Sequence, residues 1–504
     1  MKKQLGWLVV LMALTACTPF GSGPPPAPVT GAGSAPADDP AANPALSSFY
    51  GQKPNWVECR GDFTCASVQV PLDWADPGGP TIRLSMIRLA ASGPRRGSLF
   101  VNPGGPGVSG VGYLRSAATG YTALREGFDL VAWDPRGVAS SSATTCLPDS
   151  ALDAFYAQDG TPDSAAEQSH LVVEAKHYAE SCRQGSGALL RHVDTVSTAK
   201  DMDLLRAVVG DQAFSYLGAS YGTYLGAWYA QLFPWRVGRM VLDGAIDPVL
   251  DSAQYTEGQA KGFALETQKY LDDCLSRQGC PLHGSRDDAV VQLEQLALKM
   301  DGAPLPTRSG RQLTESLLET GLMYALYSPS LWPRLTQALT AAVSGDGTAM
   351  LALADRYLER DGAGHYGPTL QQYGPIFCLD HGDSRSVEQI AAEAERLQQK
   401  YPPFGRLFGW WALQCTVWPT PQVVPTQRLT ATGSAPILVV GSTNDPATPY
   451  EWAKSLASQL SNTRLLTRQG DGHVGYRQGS SCTDDVIEKY LLDGVPPAHD
   501  VTCS

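Results

Sequence analysis

Residues 215–226, which read SYLGASYGTYLG, decide the fold of this chain. At their centre Ser220 stands between Gly218 and Gly222, with one residue on either side of it. An apolar run before the serine predicts a strand, and the apolar, aromatic run after it predicts a helix. A sharp strand-to-helix turn holds a serine in an exposed, strained pose, and flanking glycines omit the Cβ atoms that would clash there. The stretch predicts a nucleophilic serine, and the alternative is a glycine-rich turn without chemistry.

Strand and helix patterns alternate on both sides of this turn. Apolar runs bounded by Pro or Gly predict strands over residues 66–74, 81–91, 97–105, 128–137, 212–218, 237–248, 435–449 and 463–473. Apolar residues at helical spacing predict helices over residues 197–211, 221–233, 451–460 and 484–494. Several strands are almost continuously apolar, as strands buried on both faces of a sheet are. We therefore expect an α/β-hydrolase fold with a mostly parallel central sheet.

The region 250–430 differs in character from the rest of the chain. It contains no convincing strand, and helical patterns dominate it at residues 287–300, 313–327, 330–343 and 386–401. We expect a mostly helical cap here, inserted before the strand that carries the catalytic acid. The cap divides the hydrolase core into a first part, 47–249, and a C-terminal part, 431–504.

The serine requires a base, and the base requires an orienting acid; in this fold the acid precedes the histidine in the chain. His473 lies in a Gly-flanked loop after a predicted strand, and His499, beyond the last helix, is the second candidate. Asp445 lies just past a buried strand, although an Asp before Pro is commonly only a turn former. Asp471 is too close to His473 to be the first choice. The sequence thus predicts a triad of Ser220, Asp445 and His473.

An acyl-transfer reaction also needs two donors for the oxyanion of its tetrahedral intermediate. One is the backbone N–H after the nucleophile, which belongs to Tyr221. The other comes from the loop after an early strand, where residues 102–107 read NPGGPG. Glycines let the backbone approach a substrate closely, so we assign Gly105 as the second donor, with Gly104 as the alternative.

The stretch WDPRG, residues 133–137, follows another predicted strand. Its place at a strand end, close to the loops of the site, favours a supporting role over a chemical one. We expect Asp134 and Arg136 to form an internal ion pair that holds those loops.

The first 17 residues have the pattern of a secretory signal, with two lysines before a short apolar run and then small residues. Residues 14–17, Leu-Thr-Ala-Cys, resemble a bacterial lipobox, which implies a lipidated Cys17; an ordinary signal with an incidental cysteine is the alternative. Residues 18–46 are rich in Pro, Gly, Ala and Ser and are expected to form a disordered tether. We expect an exported protein that this lipid anchors in the cell envelope, or that is released from it.

The composition excludes some partners and indicates a redox compartment. The net charge of −12 argues against nucleic-acid binding. The chain has 11 cysteines, so ten remain besides Cys17, without metal-binding spacing, and we expect neither a metal nor a cofactor. An even number of cysteines in an exported protein indicates disulfides. Proximity along the chain suggests the pairs Cys59–Cys65, Cys146–Cys182, Cys274–Cys280, Cys378–Cys415 and Cys482–Cys503.

Several motifs together resemble one enzyme family. They are VNPGGPG (101–107), WDPRG (133–137), GASYGTYLGAWYAQLFP (218–234), VLDGAIDP (241–248), FCLDHGD (377–383), VVGSTNDPATP (439–449) and GDGHVGY (470–476). In combination they are similar to the secreted tripeptidyl aminopeptidases, serine exopeptidases of the proline-iminopeptidase clan. The resemblance covers roughly residues 50–504 and implies the same triad of Ser220, Asp445 and His473. The first motif departs from the HGGPG of proline iminopeptidases, because Pro103 replaces the histidine.

The resemblance implies an enzyme that removes short N-terminal fragments, tripeptides among them, from peptides outside the cytoplasm. An aminopeptidase recognises a free α-amine, which calls for carboxylates supplied by the cap. Asp380 is our candidate because a Cys378–Cys415 bridge would hold it rigidly, and Glu257 is the weaker one. A carboxylesterase or lipase with the same triad, acting on envelope or exogenous esters, is the alternative. A third hypothesis is a lipoprotein that binds a ligand without catalysis, but a complete triad argues against it.

Overall fold

The structure is a computed structural model that describes residues 35, 36 and 39–504. The predicted signal segment, Cys17 and most of the predicted tether lie outside these residues. Within the described part, no helix is long and apolar enough to cross a membrane.

A central sheet of ten strands organises the described residues. The strands of the chain are β1 (Val57–Arg60), β2 (Phe63–Pro71), β3 (Thr81–Leu89), β4 (Gly97–Asn102), β5 (Phe128–Trp133), β6 (Phe214–Ala219), β7 (Val237–Asp243), β8 (Leu305–Pro306), β9 (Gln312–Leu313), β10 (Ile437–Asn444), β11 (Thr463–Asp471) and β12 (Val501–Cys503). The order in the sheet is β1-β2-β3-β5-β4-β6-β7-β10-β11-β12. The pairs from β1 to β5 are antiparallel and all later pairs are parallel. The prediction of an α/β-hydrolase fold with a mostly parallel sheet is confirmed.

Helices surround this sheet and form the cap. They are α1 (Ser47–Tyr50), α2 (Gly110–Ala117), α3 (Thr122–Arg125), α4 (Asp149–Ala157), α5 (Ala165–Ser186), α6 (Thr195–Val208), α7 (Tyr221–Leu232), α8 (Ser252–Leu275), α9 (Arg286–Gly302), α10 (Glu315–Leu326), α11 (Trp332–Val343), α12 (Thr348–Tyr357), α13 (Thr369–Asp380), α14 (Val387–Lys400), α15 (Gly405–Trp411), α16 (Leu413–Thr416), α17 (Tyr450–Gln459) and α18 (Ser481–Asp493).

Both faces of the sheet are buried, as the apolar strands predict. All six residues of β4 are buried, and alternate ones belong to opposite faces. Leu99 and Val101 lie in one apolar cluster with residues of α2, α3 and α18. Phe100 lies in the other, with residues of α6, α7 and α17. The strand ends, where side chains are free to leave the core, are therefore the places for chemistry.

The cap combines two segments of the chain, of which the sequence predicted only the second. Helices α8 to α16 form the predicted part, together with a short antiparallel ladder of β8 and β9 where no strand was expected. Helices α4 and α5 come before the serine. Tyr156 and Ala157 of α4 pack against the apolar cluster that includes Phe263 of α8 and Leu318 of α10. Leu171 and Val172 of α5 pack against a cluster that includes Ile390 of α14.

The prediction of a disordered tether over residues 18–46 is wrong for its last residues. Residues 39–46 form two 3₁₀ turns, Pro40–Ala42 and Pro44–Leu46, that lie against the core. Asp39 is buried and pairs with Arg236, and Leu46 is buried in the main apolar cluster. An ion pair and one apolar anchor order this Pro- and Ala-rich segment, and its composition gives no sign of either.

Disulfides join cysteines in the pattern that the sequence suggested. In the described part of the chain, the bonds are Cys59–Cys65, Cys146–Cys182, Cys274–Cys280, Cys378–Cys415 and Cys482–Cys503. All five predicted pairs are confirmed.

Candidate active site

Ser220 occupies the sharp turn that its flanking glycines predict. It lies between the last residue of β6 and the first residue of α7. Its φ angle is +54°, in a region of backbone conformation that residues other than glycine rarely adopt. A Cβ on Gly218 would lie 2.5 Å from the carbonyl oxygen of Gly222, and one on Gly222 would lie 2.9 Å from that of Asn102. A side chain on Gly218 would force the turn apart, and one on Gly222 would push the turn away from the end of β4 at Asn102. The local structure around the serine is the one expected.

Asp445 and His473 are hydrogen-bonded partners. Asp445 follows β10 directly, and His473 lies two residues beyond β11, the neighbouring parallel strand. His473 Nδ1 is 2.9 Å from Asp445 Oδ1 and 3.0 Å from Oδ2. The order of strand ends predicted this pair, and the structure brings the two side chains together.

Four further donors hold the Asp445 carboxylate, which is buried. The backbone N–H groups of Ala447, Thr448 and Val474 donate to it at 3.0, 2.8 and 2.9 Å, and the Thr448 hydroxyl donates at 2.9 Å. Several hydrogen bonds from fixed donors hold a carboxylate in one orientation. Asp445 is thus fixed as an acceptor for a proton on His473 Nδ1.

The surroundings of His473 favour its protonated form. Burial acts to lower the pKa of this imidazole, but the charge and hydrogen bond of Asp445 outweigh burial. The charge of Asp243 acts in the same direction, and the pKa of His473 is raised above its ordinary value. An imidazole that readily takes a proton is suited to act as a general base.

Ser220 and His473 line one cavity of about 340 Å³ between the core and the cap. The hydrogen bonds of the His473 ring use Nδ1, so among the described residues Nε2 has no hydrogen-bond partner. The cap holds the histidine in place, because its backbone N–H donates to the carbonyl of Tyr327 at 2.9 Å. Catalytic hydrogen bonds commonly shorten only when substrate binds. Ser220 and His473 Nε2 line one cavity, so a hydrogen bond between them in the substrate complex would allow proton transfer.

The glycine loop after β4 lies against the serine. A Cβ on Gly104 would be 2.8 Å from Ser220 Cβ and 2.9 Å from Tyr221 N. The Gly104 N–H donates to Asn102 Oδ1 at 2.9 Å, whereas Gly105 is the residue that lines the cavity. The geometry therefore favours Gly105 over Gly104 as a donor toward a substrate, with Tyr221 N–H as the other.

Asp380 does not line this cavity, and the predicted contact with a substrate amine is wrong. The residue is 1% exposed at the end of α13. Its two oxygens accept from the backbone N–H and the hydroxyl of Thr195, at 2.9 and 2.6 Å. The Thr195 hydroxyl is in turn 2.5 Å from that of Tyr221. Asp380 therefore supports the start of α7 through Thr195 and Tyr221. Burial raises the pKa of Asp380.

Glu257, the weaker candidate, lies on the surface of the cap. Arg396 and Lys400 bind its carboxylate at 2.7 and 2.8 Å. Burial alone would raise its pKa, but these two cations lower it to about 2. Glu257 is a partner of surface cations and does not line the cavity of Ser220.

Glu359 is a solvent-exposed acid that lines the cavity of Ser220 and that the sequence did not predict. It follows α12 with φ at +54°, and its carboxylate accepts from the Thr369 hydroxyl at 2.9 Å. Arg356 lines the same cavity, and among the described residues it forms no ion pair with Glu359. Nothing in the surrounding sequence distinguishes Glu359 from a solvent-exposed acid after a helix, so no sequence signal could have selected it.

Asp243 is a second missed residue, at the end of β7. Its carboxylate accepts from the N–H groups of Gly475 and Tyr476, both at 2.8 Å, and its carbonyl accepts from Ser220 N at 2.8 Å. It thereby joins the serine turn to the loop that carries His473. Burial, opposed by these hydrogen bonds, raises the pKa of Asp243 to about 6.

Asp134 and Arg136 support the loops separately, so the predicted ion pair between them is wrong. The buried Arg136 guanidinium pairs with Asp201 at 2.7 Å. It also donates to the carbonyls of Pro71, Leu72 and His192. Asp134 accepts from the Ser109 hydroxyl at 2.6 Å and from two backbone N–H groups. The expected supporting role holds, although each residue has other partners.

One group of acids in the described residues has ligand spacing for a cation. Oxygen atoms of Asp159, Asp301 and Glu315 lie within 4.8 Å of one another on the cap. These residues do not line the cavity of Ser220. The chemistry of the cavity is therefore built from the serine, the histidine and its acid, and backbone N–H groups.

One family model and several known proteins match this chain. The family model described as "TAP-like protein" matches residues 400–503. Serine protease Hip1 of Mycobacterium tuberculosis is 37% identical over 479 residues, 90% of this chain and 91% of the relative. Tripeptidyl aminopeptidase of Streptomyces coelicolor is 32% identical, over 89% and 86%. Carboxylesterase B of M. tuberculosis is 34% identical, over 89% and 90%.

This chain belongs to the TAP-like family of α/β-hydrolases. The resemblance drawn from its motifs is confirmed. Together with the fold, the relatives establish a serine hydrolase. Two of these relatives are named as peptidases, and one is named as a carboxylesterase. The TAP-like segment 400–503 contains Asp445 and His473, whereas Ser220 lies outside it.

Proposed function

We propose that this protein is an extracytoplasmic exopeptidase that removes short N-terminal fragments, tripeptides among them, from peptides. The observation that carries the proposal is the composition of one cavity. Ser220 and the Asp445-bound His473 line it on the core side, and Glu359 lines it on the cap side. Glu359 is exposed to solvent and has no ion pair with Arg356, which lines the same cavity, so its carboxylate is available to a positively charged end of a substrate.

In the proposed reaction, Ser220 Oγ attacks the carbonyl carbon of the scissile peptide bond. His473 Nε2 takes the serine proton and passes it to the leaving amine, and the N-terminal fragment remains as an ester on the serine. Water then attacks this ester with help from the same imidazole, which releases the fragment and restores the serine. Asp445 holds the proton on Nδ1, so that Nε2 is free to accept.

The negative charge of the tetrahedral intermediate develops on the carbonyl oxygen. We assign the N–H groups of Gly105 and Tyr221 as its donors. Tyr221 directly follows Ser220, Gly105 lines the same cavity as Ser220, and the Gly104 N–H already has a partner. Loss of one such donor typically costs about 3 kcal/mol of transition-state stabilisation.

We assign Glu359 the role that the sequence analysis gave to Asp380, recognition of the substrate α-amine. The Thr369 hydroxyl already donates to one of its oxygens, which fixes the carboxylate at the wall. The positive φ of Glu359 is a strained conformation of a kind found at binding sites. A peptide whose amine reaches Glu359 while its scissile bond reaches Ser220 has only a short fragment between them.

Carboxylesterase activity is the second candidate. The same triad hydrolyses esters, and one relative at 34% identity is named carboxylesterase B. The difference between the two functions lies in the amine, since an ester substrate has none for Glu359 to bind.

A substrate panel separates the two functions. Tripeptidyl anilides with a free N-terminus, the same anilides with an acetylated N-terminus, and p-nitrophenyl acetate are compared by kcat/KM. We expect wild-type protein to prefer the free peptide by at least about tenfold. Glu359→Gln should remove that preference and leave p-nitrophenyl acetate unchanged.

The matched control is Glu451→Gln, at an exposed acid on α17 that should alter neither activity. Equal rates on free and acetylated peptides in wild-type protein would contradict the exopeptidase proposal. Efficient hydrolysis of esters alone would favour the carboxylesterase.

We further propose that the protein is anchored in the cell envelope through a lipid on Cys17. The support is the lipobox-like sequence that ends at this residue. Cells grown with a fatty-acid analogue should yield a labelled protein in the membrane fraction, and Cys17→Ser should abolish the label. A soluble, unlabelled wild-type product would contradict the anchor.

A further inference from the structure

A second cavity, of about 250 Å³, lies within the cap beside the cavity of Ser220. We name it the apolar chamber. It is built from residues of α4, α5, α8, α10, α12, α13, α15 and α16 and of the short connections between them. The residues that line both cavities are Tyr255, Gln259, Tyr357, Leu370, Tyr373 and Trp411. The chamber therefore meets the proposed catalytic cavity along a common wall.

Packed aromatic rings form most of this wall. The Tyr373 ring stacks on Phe377, with ring centroids 5.1 Å apart, and Tyr255 meets Phe377 edge-on at the same distance. Gln259 is held in the wall by a hydrogen bond from its amide to the carbonyl of Ala447, next to the Asp445 loop. The wall is thus tied both to the cap and to the loop of the proposed catalytic acid.

The interior of the chamber is uncharged. No Asp, Glu, Lys, Arg or His of the described residues lines it, and aromatic and aliphatic side chains dominate. Phe155, Met323, Leu407 and Trp410 are examples from four different helices. Sites for small molecules are mostly apolar cavities with a few polar groups, and this chamber has that composition.

A packing defect is a poor explanation for this space. Protein interiors are close-packed and contain few voids larger than a water molecule. The chamber is far larger than one water, and ordinary side-chain changes would have filled it. Ala175 of α5, for example, leaves room that a larger residue would occupy.

The residues around Glu359 join the proposed amine site to the chamber. Leu358, which precedes Glu359, lines the chamber. Thr369 donates to Glu359, and Leu370, which follows Thr369, belongs to the common wall. A fragment that extends from Ser220 to Glu359 would therefore pass directly along this wall.

We propose that the apolar chamber binds a large apolar side chain of the N-terminal fragment that the enzyme releases. The inference rests on the proposed function, because it assumes a peptide held between Ser220 and Glu359. It names the substrate class more narrowly: peptides with Leu, Phe or a similar residue at one of the first three positions. Burial of that side chain in the chamber raises kcat/KM.

The test uses full-length protein and tripeptidyl anilides based on Ala-Ala-Ala, with Leu or Phe placed at each position in turn. At one position we expect the large apolar residue to raise kcat/KM at least about tenfold over alanine. Ala175→Trp, which fills the chamber, should reduce this ratio to near one.

Two further variants keep the test decisive. Val173→Trp is the matched control, because Val173 lies on the same helix with 59% exposure and should preserve the selectivity. If Ala175→Trp fails to fold, Thr320→Phe fills the chamber from α10 instead. Full selectivity in a folded, filled variant would overturn the proposal.

Esters separate this inference from the proposed function. If no peptide is cleaved while a fluorophosphonate still labels Ser220, the proposed function fails and the peptide assignment of the chamber falls with it. If peptides are cleaved and Ala175→Trp changes only the preference for p-nitrophenyl octanoate over acetate, the chamber binds acyl chains and the assignment is overturned. Loss of peptide selectivity supports it.

Discussion

At the sheet edge, Ser220, Asp445 and His473 each follow the end of a parallel strand, whereas the cap residues around them come from helices without a common register. The hydrogen bonds of β6, β10 and β11 fix where each strand ends, and hence where each of these side chains begins. In the cap, positions depend on how amphipathic helices pack, which sequence spacing does not determine. Site residues at strand ends can therefore be predicted from the sequence, and site residues on cap helices cannot.

The largest expected effect tests the sheet-edge side of this comparison. His473→Ala removes the proposed base, and kcat should fall on the order of 10⁶-fold for any substrate that the wild type hydrolyses. His499→Ala is the control, since His499 is exposed near the C-terminus and should not alter kcat. Comparable losses in both variants would remove the distinction between the two histidines.

The next effect concerns the acid. Asp445→Asn keeps the shape of the side chain but no longer fixes the proton on His473 Nδ1, and kcat should fall about 10⁴-fold. Asp471→Asn, at the end of β11, is the matched control and should change kcat only a few-fold. A small effect of Asp445→Asn would show that another group orients the imidazole.

A smaller effect concerns pH. The charge of Asp243 helps to raise the pKa of His473, so Asp243→Asn should lower that pKa. Activity requires neutral His473, and the rising limb of kcat/KM against pH should therefore move to lower pH. The pKa of Asp243 is about 6, so the wild-type carboxyl is charged mainly above pH 6. The difference in kcat/KM between Asp243→Asn and wild type should therefore be largest where the limb lies above pH 6. A limb that stays in place, or moves to higher pH, would contradict the role given to Asp243.

The smallest effect concerns the stability of the cap. Burial, with the charges of Asp471 and Asp445, raises the pKa of Glu266 on α8 to about 9. Neither oxygen of Glu266 has a hydrogen-bond partner in the part of the chain that the structure describes. The folded state binds this proton more tightly than the unfolded state, so the free energy of unfolding falls as pH rises from about 4.5 toward 9. Glu266→Gln should remove that loss, and its gain in melting temperature should be larger at pH 8 than at pH 5.

Glu388→Gln serves as the control for this comparison, because Glu388 is exposed on α14. Its effect on the melting temperature should be the same at pH 5 and pH 8. A pH-independent effect of Glu266→Gln would show that the buried carboxyl is not held neutral.

The sequence predicted the sheet, the serine turn, the Asp–His pair and the disulfides because each depends on local pattern or on strand order. Gly218 shows this most clearly, since a Cβ there would meet Tyr216 and Gly222, which belong to the same strand and turn. Asp380 was misassigned because its burial depends on Thr195, 185 residues away in the chain. Glu359 was missed for the converse reason, as only the packing of the cap brings it to the cavity.

The central claim is that the hydroxyl of Ser220 is an activated nucleophile, and labelling by a fluorophosphonate probe tests it most directly. Mass spectrometry of wild-type protein should show one probe adduct, located on Ser220. Ser220→Ala should show none, and His473→Ala should react far more slowly than wild-type protein. Folded wild-type protein that does not react, or that carries the probe on a different residue, would contradict the account.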